Sequence, residues 1–331
     1  MHAIRLSQIH PMHLTKLVAS SLLLVILALP GRAATPEPLK EGDSVPPLYE
    51  GEAKDLGPQT VLQREVRKTH FEALIDEQFY YTDNMFLTEN DERETSVLLS
   101  SAQFALAPVR YDLGPGGFAP RLGYRHQWYN FALPDNNDLD KFDFNIQTLF
   151  IGGNYQLADF WLFDLGFEWE RFLDSGNYGQ FYQDYGPTWG VMRLFPVKHN
   201  SFFSVSYSGE AHLASFDPEL GLLPGLTNGV TSASEDALDR VDHIATVAYM
   251  HSLTPQLVAQ PYYRFKFTQF IGDLDRDDYL HSVGLVVHYF FNQYASIRAF
   301  AGYDWRDSSL SSVPEYQKLD AGGGVTLALR F

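Results

Sequence analysis

The sequence predicts an all-β protein, a transmembrane antiparallel up-and-down β-barrel of about twelve strands. Three observations support this fold class. The N-terminus has the order of an export signal, and the chain from residue 70 to residue 331 alternates apolar and polar side chains with a period of two. The connections between the alternating segments are long and short in turn. A soluble β-sandwich has no reason to show the third feature.

Residues 1–33 are predicted to be a cleaved signal peptide. Arg5 and Lys16 precede an apolar run of 13 residues, Leu17–Leu29, and small residues lead to a cleavage site after Ala33. The run is shorter than the ~20 residues that a membrane-spanning helix needs, so an uncleaved anchor helix is the weaker alternative. We therefore expect the chain to be exported.

Residues 34–69 are predicted to be a flexible periplasmic segment. The part from Thr35 to Gly57 is rich in proline, glycine and acids and has no apolar periodicity. The chain has no cysteine, which excludes disulfides and thiol catalysis, and its net charge of -17 argues against nucleic acid as a partner.

Residues 70–331 are the predicted barrel, and Phe160–Leu173 shows its pattern most clearly. In this stretch, large apolar side chains fall on one face of an extended strand, whereas Asp164, Glu168 and Glu170 fall on the other. A helix would mix the two sets. The same alternation predicts twelve approximate strands, at 70–82, 95–111, 118–130, 142–157, 160–173, 184–196, 201–216, 239–252, 257–270, 279–291, 294–305 and 319–331.

Two features weaken individual strands. The alternation changes phase near Gly152 and Gly153, which predicts a bulge or kink there. Pro187 and Pro261 lie inside predicted strands, where each is expected to remove a ladder hydrogen bond.

The predicted connections give the orientation of the barrel. Outer-membrane barrels have short periplasmic turns and longer extracellular loops. With an even number of strands, both ends of the barrel segment lie on the periplasmic side, as an exported N-terminus requires. The short connections are 112–117, 158–159, 197–200, 253–256 and 292–293, and the long ones are 83–94, 131–141, 174–183, 217–238, 271–278 and 306–318.

The last predicted strand, Leu319–Phe331, alternates apolar residues and stops at an aromatic side chain. Val325, Leu327, Leu329 and Phe331 share one face. This pattern resembles the C-terminal assembly signal of Gram-negative outer-membrane proteins. The resemblance implies that these four residues face lipid and guide assembly by the barrel-assembly machinery. It also implies a location in the outer membrane of a Gram-negative bacterium, in contact with outer-membrane lipid and lipopolysaccharide.

The first predicted hairpin carries Tyr81, Asp83, Asn84 and Phe86 between an aromatic strand and a polar loop. This arrangement resembles the opening of the type-two β-barrel porins, a group that includes barrels associated with exopolysaccharide secretion. The resemblance covers one hairpin. It implies a porin-like or polysaccharide-export-associated barrel and assigns no catalytic residue.

Charged residues on the predicted lumen faces are the candidates for setting solute selectivity. Acids and bases are nearly balanced there. If they segregate across the lumen, their field orients dipolar solutes as in a general porin, and if they pair, they fill the interior. The candidates are Arg121, Arg125, Asp164, Glu168, Glu170, Arg193, Arg264, Lys266, Arg298 and Asp304.

These patterns favour an outer-membrane channel for passive diffusion or export of small polar or saccharide solutes, with no cofactor and no metal. One alternative is a structural, adhesive or exopolysaccharide-secretion-associated barrel with a filled lumen. The longest predicted loop, 217–238, could fold inward, contact lipopolysaccharide or remain solvated. The sequence does not encode the oligomeric state.

A barrel hydrolase is a further alternative. The adjacent pairs His251–Ser252 and His281–Ser282 cannot form a dyad by themselves, because neighbouring side chains of a strand point to opposite faces. The acidic loop Gly272–Asp278 suits a diffuse cation-attracting surface better than a calcium site, because Arg276 interrupts its acids. We therefore expect a protein that is not an enzyme.

Overall fold

The computed structural model describes most of the predicted barrel. The predicted signal peptide, the predicted periplasmic segment and Phe331 lie outside the described residues, as does most of the loop 217–238. No helix of the described part is long and apolar enough to cross a membrane. The described residues are 71–89, 92–107, 110–131, 139, 142–157, 160–176, 178–198, 200–216, 237–272 and 275–330.

The described residues form thirteen β-strands in one antiparallel sheet. Strands that follow each other in the chain pair with each other, except that β2 pairs with β4, and β1 also pairs with β13. Twelve strands thus close into a barrel, which confirms the predicted all-β, up-and-down architecture. The strands are β1 (Glu72–Thr82), β2 (Thr95–Leu106), β3 (Tyr111–Leu113), β4 (Gly116–Phe131), β5 (Phe144–Leu157), β6 (Trp161–Asp174), β7 (Gln180–Lys198), β8 (Ser201–Phe216), β9 (Arg240–Ser252), β10 (Leu257–Phe270), β11 (Asp277–Phe290), β12 (Ala295–Ser308) and β13 (Tyr316–Arg330).

The short strand β3 was not predicted. β4 pairs with β2 only as far as Leu122, and its first residues, Gly116 to Phe118, pair with β3 instead. Gly114 makes the turn between β3 and β4 with a positive φ of 61°, a conformation that glycine adopts without strain. The predicted short connection 112–117 is therefore part of a small hairpin at the short-turn end of the barrel.

The two faces of the wall differ in polarity. On β1, the outward side chains Ile75 and Phe79 are each 51% exposed, whereas the inward side chains Asp76 and Gln78 are buried. A soluble barrel has the opposite arrangement, with apolar side chains inside. An apolar exterior around a polar interior identifies a barrel that spans a membrane.

The bulge predicted near Gly152 and Gly153 is wrong. β5 pairs with β4 and with β6 in one continuous register through both glycines. Glycine is needed at 152 for space, because a Cβ atom there would lie 2.6 Å from the carbonyl oxygen of Leu165. The register shifts instead between β6 and β7, at Phe172 and Leu173.

The two prolines interrupt the ladder without shifting it. Pro187 points outward from β7, which pairs with β8 up to Tyr185 and again from Thr188 in the same register. Pro261 on β10 faces a gap of the same form beside β9. Each proline thus removes pairing on one side, as predicted.

Two polar residues of the first hairpin, Asn84 and Asp83, hold its loop in place. Asn84 Nδ2 donates to the carbonyl oxygens of Thr88 at 2.7 Å and Gln317 at 2.9 Å, and Asn84 Oδ1 accepts from the Thr88 amide. Asp83 Oδ1 accepts from the amide of Leu319 at 2.7 Å. These residues fasten the first long loop to β13.

A carboxyl group faces lipid near the middle of β1. Glu77 is exposed between Ile75 and Phe79, and it accepts a hydrogen bond of 2.6 Å from Ser100 Oγ on β2. Charged groups on the lipid face destabilise a barrel in a manner that depends on depth. The hydrogen bond offsets only part of this effect.

Replacing this carboxyl group is expected to stabilise the barrel. Glu77→Leu should raise the free energy of unfolding by about 1 kcal/mol, because it removes an ionisable group from the lipid face. Urea unfolding of the protein refolded into lipid vesicles measures the change. Ser100→Ala, which removes only the hydrogen bond, serves as the control and should shift stability by less than about 0.5 kcal/mol. Destabilisation by Glu77→Leu would contradict the assignment.

Candidate functional site

The lumen is the candidate site, and its best-buried charges form an ion pair near the β12–β13–β1 seam. Arg298 Nη1 and Nη2 each donate to one carboxylate oxygen of Asp76 at 2.8 Å. Thr326 Oγ1, on the intervening strand, donates to Asp76 Oδ1 at 2.6 Å. The side chains of Arg298 and Asp76 are 1% and 0% exposed, so this pair supports the wall and offers no contact to a solute.

A second network spans β4, β5 and β6. Arg125 Nη2 lies 3.3 Å from Glu170 Oε1 and 3.9 Å from Glu168 Oε2. Thr148 Oγ1 on β5 donates to Glu170 Oε1 at 2.9 Å. The side chain of Glu168 is 24% exposed and that of Glu170 is 11% exposed, so Glu168 is the more accessible acid of this network. The structure thus brings together three of the predicted candidates.

A third network runs across β7, β8, β9 and β10. His212 Nδ1 lies 2.8 Å from Asp184 Oδ2, and His212 Nε2 lies 3.3 Å from Asp242 Oδ2. Lys266 Nζ lies 2.8 Å from the same Asp242 oxygen, and Arg240 Nε lies 3.8 Å from it. Asp184, His212 and Arg240 were not among the predicted candidates, although each has inward parity on its strand. The alternation of inward and outward positions along each strand would have identified all three as inward residues.

A fourth network lies at the long-loop end. Arg276 donates to both carboxylate oxygens of Asp278, through Nε at 2.9 Å and Nη2 at 2.5 Å, and its Cζ lies 4.5 Å from the ring centroid of Phe270. Arg306 Nη1 approaches Asp278 Oδ2 at 3.9 Å, and Arg306 Nη2 donates to the carbonyl oxygen of Pro314. The arginine that interrupts the acidic loop is therefore a buried partner of Asp278.

Apolar side chains pack at the same end of the lumen. The cluster is built on the first or last inward positions of several strands and on one residue that precedes β9. The hydroxyl of Tyr182 donates to Asp184 and accepts from Arg240, which joins the cluster to the third network. We call this set the mouth cluster; its members are Phe144, Phe172, Phe181, Tyr182, Ala214, Leu238 and Phe270.

The inner walls differ in the size of their side chains. On β9 to β12, apolar residues pack together inside the barrel, and those of β10 and β12 are aromatic. Tyr80 of β1 joins them, with its ring centroid 6.0 Å from that of Phe300. The buried members are Ala248, Tyr262, Val286 and Phe300.

The adjoining wall, on β5 to β8, carries several small inward residues that are half-buried. Direct cross-strand pairs run from Gly152 to Gly166 to Thr188, and Gly190 pairs with Ser208. We call this set, together with Ser206, the small-residue wall. The inward side chains of this wall are therefore smaller than Tyr262 and Phe300 on β10 and β12.

The predicted lumen position of Arg193 is wrong. Arg193 pairs across the sheet with Trp161 of β6 and with Val205 of β8, and both of these face outward. Its Cζ lies 5.0 Å from the ring centroid of Trp161 and 4.8 Å from that of Phe195. The guanidinium lies on two outward rings near the short-turn end, where a cation reaches the membrane interface.

The remaining candidates face inward in separate places. Arg121 Nη2 lies 3.4 Å from Glu72 Oε2. Arg264 Nη2 donates to the hydroxyl of Ser282 at 3.2 Å, and Lys318 Nζ lies 3.8 Å from Asp304 Oδ2. Asp164 also faces inward, where it pairs across the sheet with Asn154 of β5 and Gly190 of β7.

A serine and a histidine meet on the outer face at the short-turn end. Ser201 Oγ lies 3.1 Å from His251 Nδ1, a contact between β8 and β9 that the sequence did not reveal. Ser201 is 0% exposed. A serine nucleophile must reach its substrate, so this pair, which joins the start of β8 to the end of β9, does not favour a hydrolase.

The fold resembles solved outer-membrane barrels. An outer-membrane channel from Pseudomonas putida shares 12% sequence identity, with a TM-score of 0.46 and coverage of 85% of this chain and 100% of that one. The NanC porin shares 10% identity, with a TM-score of 0.43 and coverage of 76% and 98%. The transport unit of the Escherichia coli autotransporter AIDA-I shares 8%, with a TM-score of 0.46 and coverage of 81% and 93%. These likenesses concern the barrel architecture alone.

No protein-family model matches the chain, and no curated protein sequence matches it either.

Breaking the buried ion pair of the lumen is expected to be costly. Asp76→Ala should lower the free energy of unfolding by about 3 kcal/mol, because it leaves the Arg298 guanidinium buried without its counter-ion. Glu72→Ala, on the same face of the same strand, removes a partly exposed partner of Arg121 and should cost less than about 1 kcal/mol. Urea unfolding compares the two variants. Equal losses of unfolding free energy in the two variants would show that burial does not determine how much the Asp76–Arg298 pair contributes to stability.

Proposed function

We propose that this chain is an outer-membrane channel through which small polar or saccharide solutes pass by passive diffusion. The observation that supports the proposal is the small-residue wall, whose inward side chains along β5 to β8 are short and half-buried. The barrel also carries inward charges that stay partly exposed, Glu168 of β6 at 24% and Lys266 of β10 at 30% side-chain exposure. A polar, partly hydrated path suits solutes that exchange water for hydroxyl, amide and charged groups.

The predicted selectivity residues divide into two roles under this proposal. Arg298 and Glu170 are held in buried pairs and stabilise the wall, and Arg125 and Arg264 are buried as well. The less buried set is Asp164, Glu168, Lys266, Arg121 and Asp304, together with Glu210 of β8. Acids outnumber bases in this set, so the channel should favour cations and neutral solutes over anions.

The location and assembly of the protein are part of the proposal. Val325, Leu327 and Leu329 face outward on β13 and are about half exposed. Together with Phe331 they would serve as the signal for the barrel-assembly machinery in the outer membrane of a Gram-negative bacterium. The outward apolar face would then contact outer-membrane lipid and lipopolysaccharide.

A barrel with a closed lumen is the second candidate, and the mouth cluster favours it. This cluster packs apolar side chains across the long-loop end of β5 to β10, where an open porin would be hydrated. Such a barrel would have a structural, adhesive or exopolysaccharide-secretion-associated role. Conductance separates the two candidates, because a closed barrel gives no discrete steps in a planar bilayer.

The ion selectivity of the channel should depend on Glu168. In planar bilayers with a salt gradient, Glu168→Gln should lower the cation-to-anion permeability ratio, because it removes a negative charge beside the path. Glu77→Gln makes the same change of charge on the lipid face and should leave the ratio unchanged. A shift of the same size in both variants, or in neither, would remove Glu168 from the path.

The small-residue wall should set the size of the path. Ser208→Trp places an indole on the inward face of β8. It should reduce single-channel conductance severalfold, because a narrower pore conducts fewer ions. Val205→Trp places the same side chain on the lipid face of the same strand and should leave conductance near the wild-type value. If both variants conduct like the wild type, the path does not run along β5 to β8.

A further inference from the structure

A row of polar side chains crosses the outer face of four strands near their long-loop ends. His126 of β4 pairs with Gln147 of β5, Gln147 pairs with Arg171 of β6, and Arg171 pairs with Gln183 of β7. Directly paired residues share a face, so the four side chains lie side by side on the outside of the barrel. We call this set the outer polar row.

On β6, the row lies just outside the apolar band of the wall. The outward positions of β6 are apolar from Trp161 to Trp169, a stretch of nine residues. This length agrees with the ~9–11 residues with which a tilted strand crosses the hydrocarbon, and tryptophan marks both of its ends, as it does at membrane interfaces. Arg171 is the next outward residue on the long-loop side. It therefore lies at the level of the lipid headgroups.

The contacts of Arg171 orient its guanidinium and leave it available. Nε donates to Gln147 Oε1 at 2.7 Å, and Cζ lies 5.5 Å from the ring centroid of Trp169. Within the described part of the chain, no carboxylate is within ion-pair distance of Arg171. The side chain is thus held by an amide and an indole, while its charge has no counter-ion from the wall.

A second strand carries the opposite charge at the corresponding position. On β12, Asp307 is the outward residue that follows Trp305 towards the long loops. It occupies the position that Arg171 has after Trp169 on β6. An anionic headgroup would be repelled at β12 and attracted at β6. The side of β4 to β7 is therefore the side on which such a headgroup is expected.

We propose that the outer polar row binds the phosphate group of a lipid in the leaflet on the long-loop side. The Arg171 guanidinium pairs with phosphate oxygens, for which its planar set of donors is suited, and the amides of Gln147 and Gln183 supply further hydrogen bonds. Below the row, Trp169 and the paired Leu149 lie against the acyl chains. In the outer leaflet of a Gram-negative outer membrane, the lipid of this chemistry is the phosphorylated lipid anchor of lipopolysaccharide.

Arg193 supplies a matched control for this site. It is also an outward arginine beside a tryptophan, but that tryptophan is Trp161 at the short-turn end of the barrel. Its direct neighbours across the sheet are Trp161 and Val205, so it lacks the amides that flank Arg171. The two arginines therefore compare the same change of side chain with and without the outer polar row.

The test measures binding of bis-phosphorylated lipid A to the full chain refolded in neutral detergent, with EDTA present so that divalent cations do not bridge acids to phosphate. Native mass spectrometry or tryptophan fluorescence gives the affinity. Arg171→Gln should weaken binding at least about tenfold, whereas Arg193→Gln should leave it within about twofold. Dephosphorylated lipid A should bind the wild type as weakly as phosphorylated lipid A binds Arg171→Gln.

Arg171→Lys protects the test against a folding defect. It retains the charge, should fold like the wild type as judged by heat-modified gel mobility, and should bind more tightly than Arg171→Gln. Equal affinity of wild type and Arg171→Gln would overturn the proposal. So would equal losses in Arg171→Gln and Arg193→Gln, or binding that does not depend on the lipid phosphates. Because no step of this test requires conductance, its failure is distinct from failure of the proposed channel.

Discussion

Hydrocarbon offers no hydrogen-bonding partner to a peptide group, and this constraint governs the topology of the wall. Every strand needs two neighbours, so the sheet must close, and it closes through the pairing of β1 with β13 and of β2 with β4. The unpaired edge of the added strand β3 is tolerated because it lies at the short-turn end. The prolines of β7 and β10 interrupt pairing on one side only and leave the register of the barrel intact.

Because the sheet closes, the inward side chains of all its strands share one enclosed lumen, and this imposes a second constraint. Inward charges must be paired or hydrated, and the barrel uses both solutions in different places. The Arg298–Asp76 pair is dry and structural, whereas Glu168 and Lys266 keep 24% and 30% of their side-chain surface accessible. The large residues of β9 to β12 and the small residues of β5 to β8 make the interior asymmetric. This asymmetry sets where a path can run.

The alternation of side chains was sufficient to predict the closed barrel and the faces of most strands, because a period of two depends only on neighbours in the chain. Arg193 shows where residue type misled the prediction. It shares its parity with Trp189 and Phe195, so the alternation places it outside, but a charge was expected inside. The partner of Arg298 was beyond prediction, because Asp76 lies 222 residues away on β1, and those of His212 depend on the register between neighbouring strands. The hairpin at β3 was missed since its strand has three residues.

Arg276 has a consequence for how the exposed surface of the protein can vary. The loop between β10 and β11 is short and solvent-facing by position, yet its arginine is seated inside the barrel on Asp278 and Phe270. Arg306 holds the next long loop in a similar way, through the backbone of Pro314. Exposed loops normally tolerate insertions and sequence drift. In these two loops that freedom is limited, so antigenic change and the insertion of foreign epitopes should be confined to the residues between the anchors.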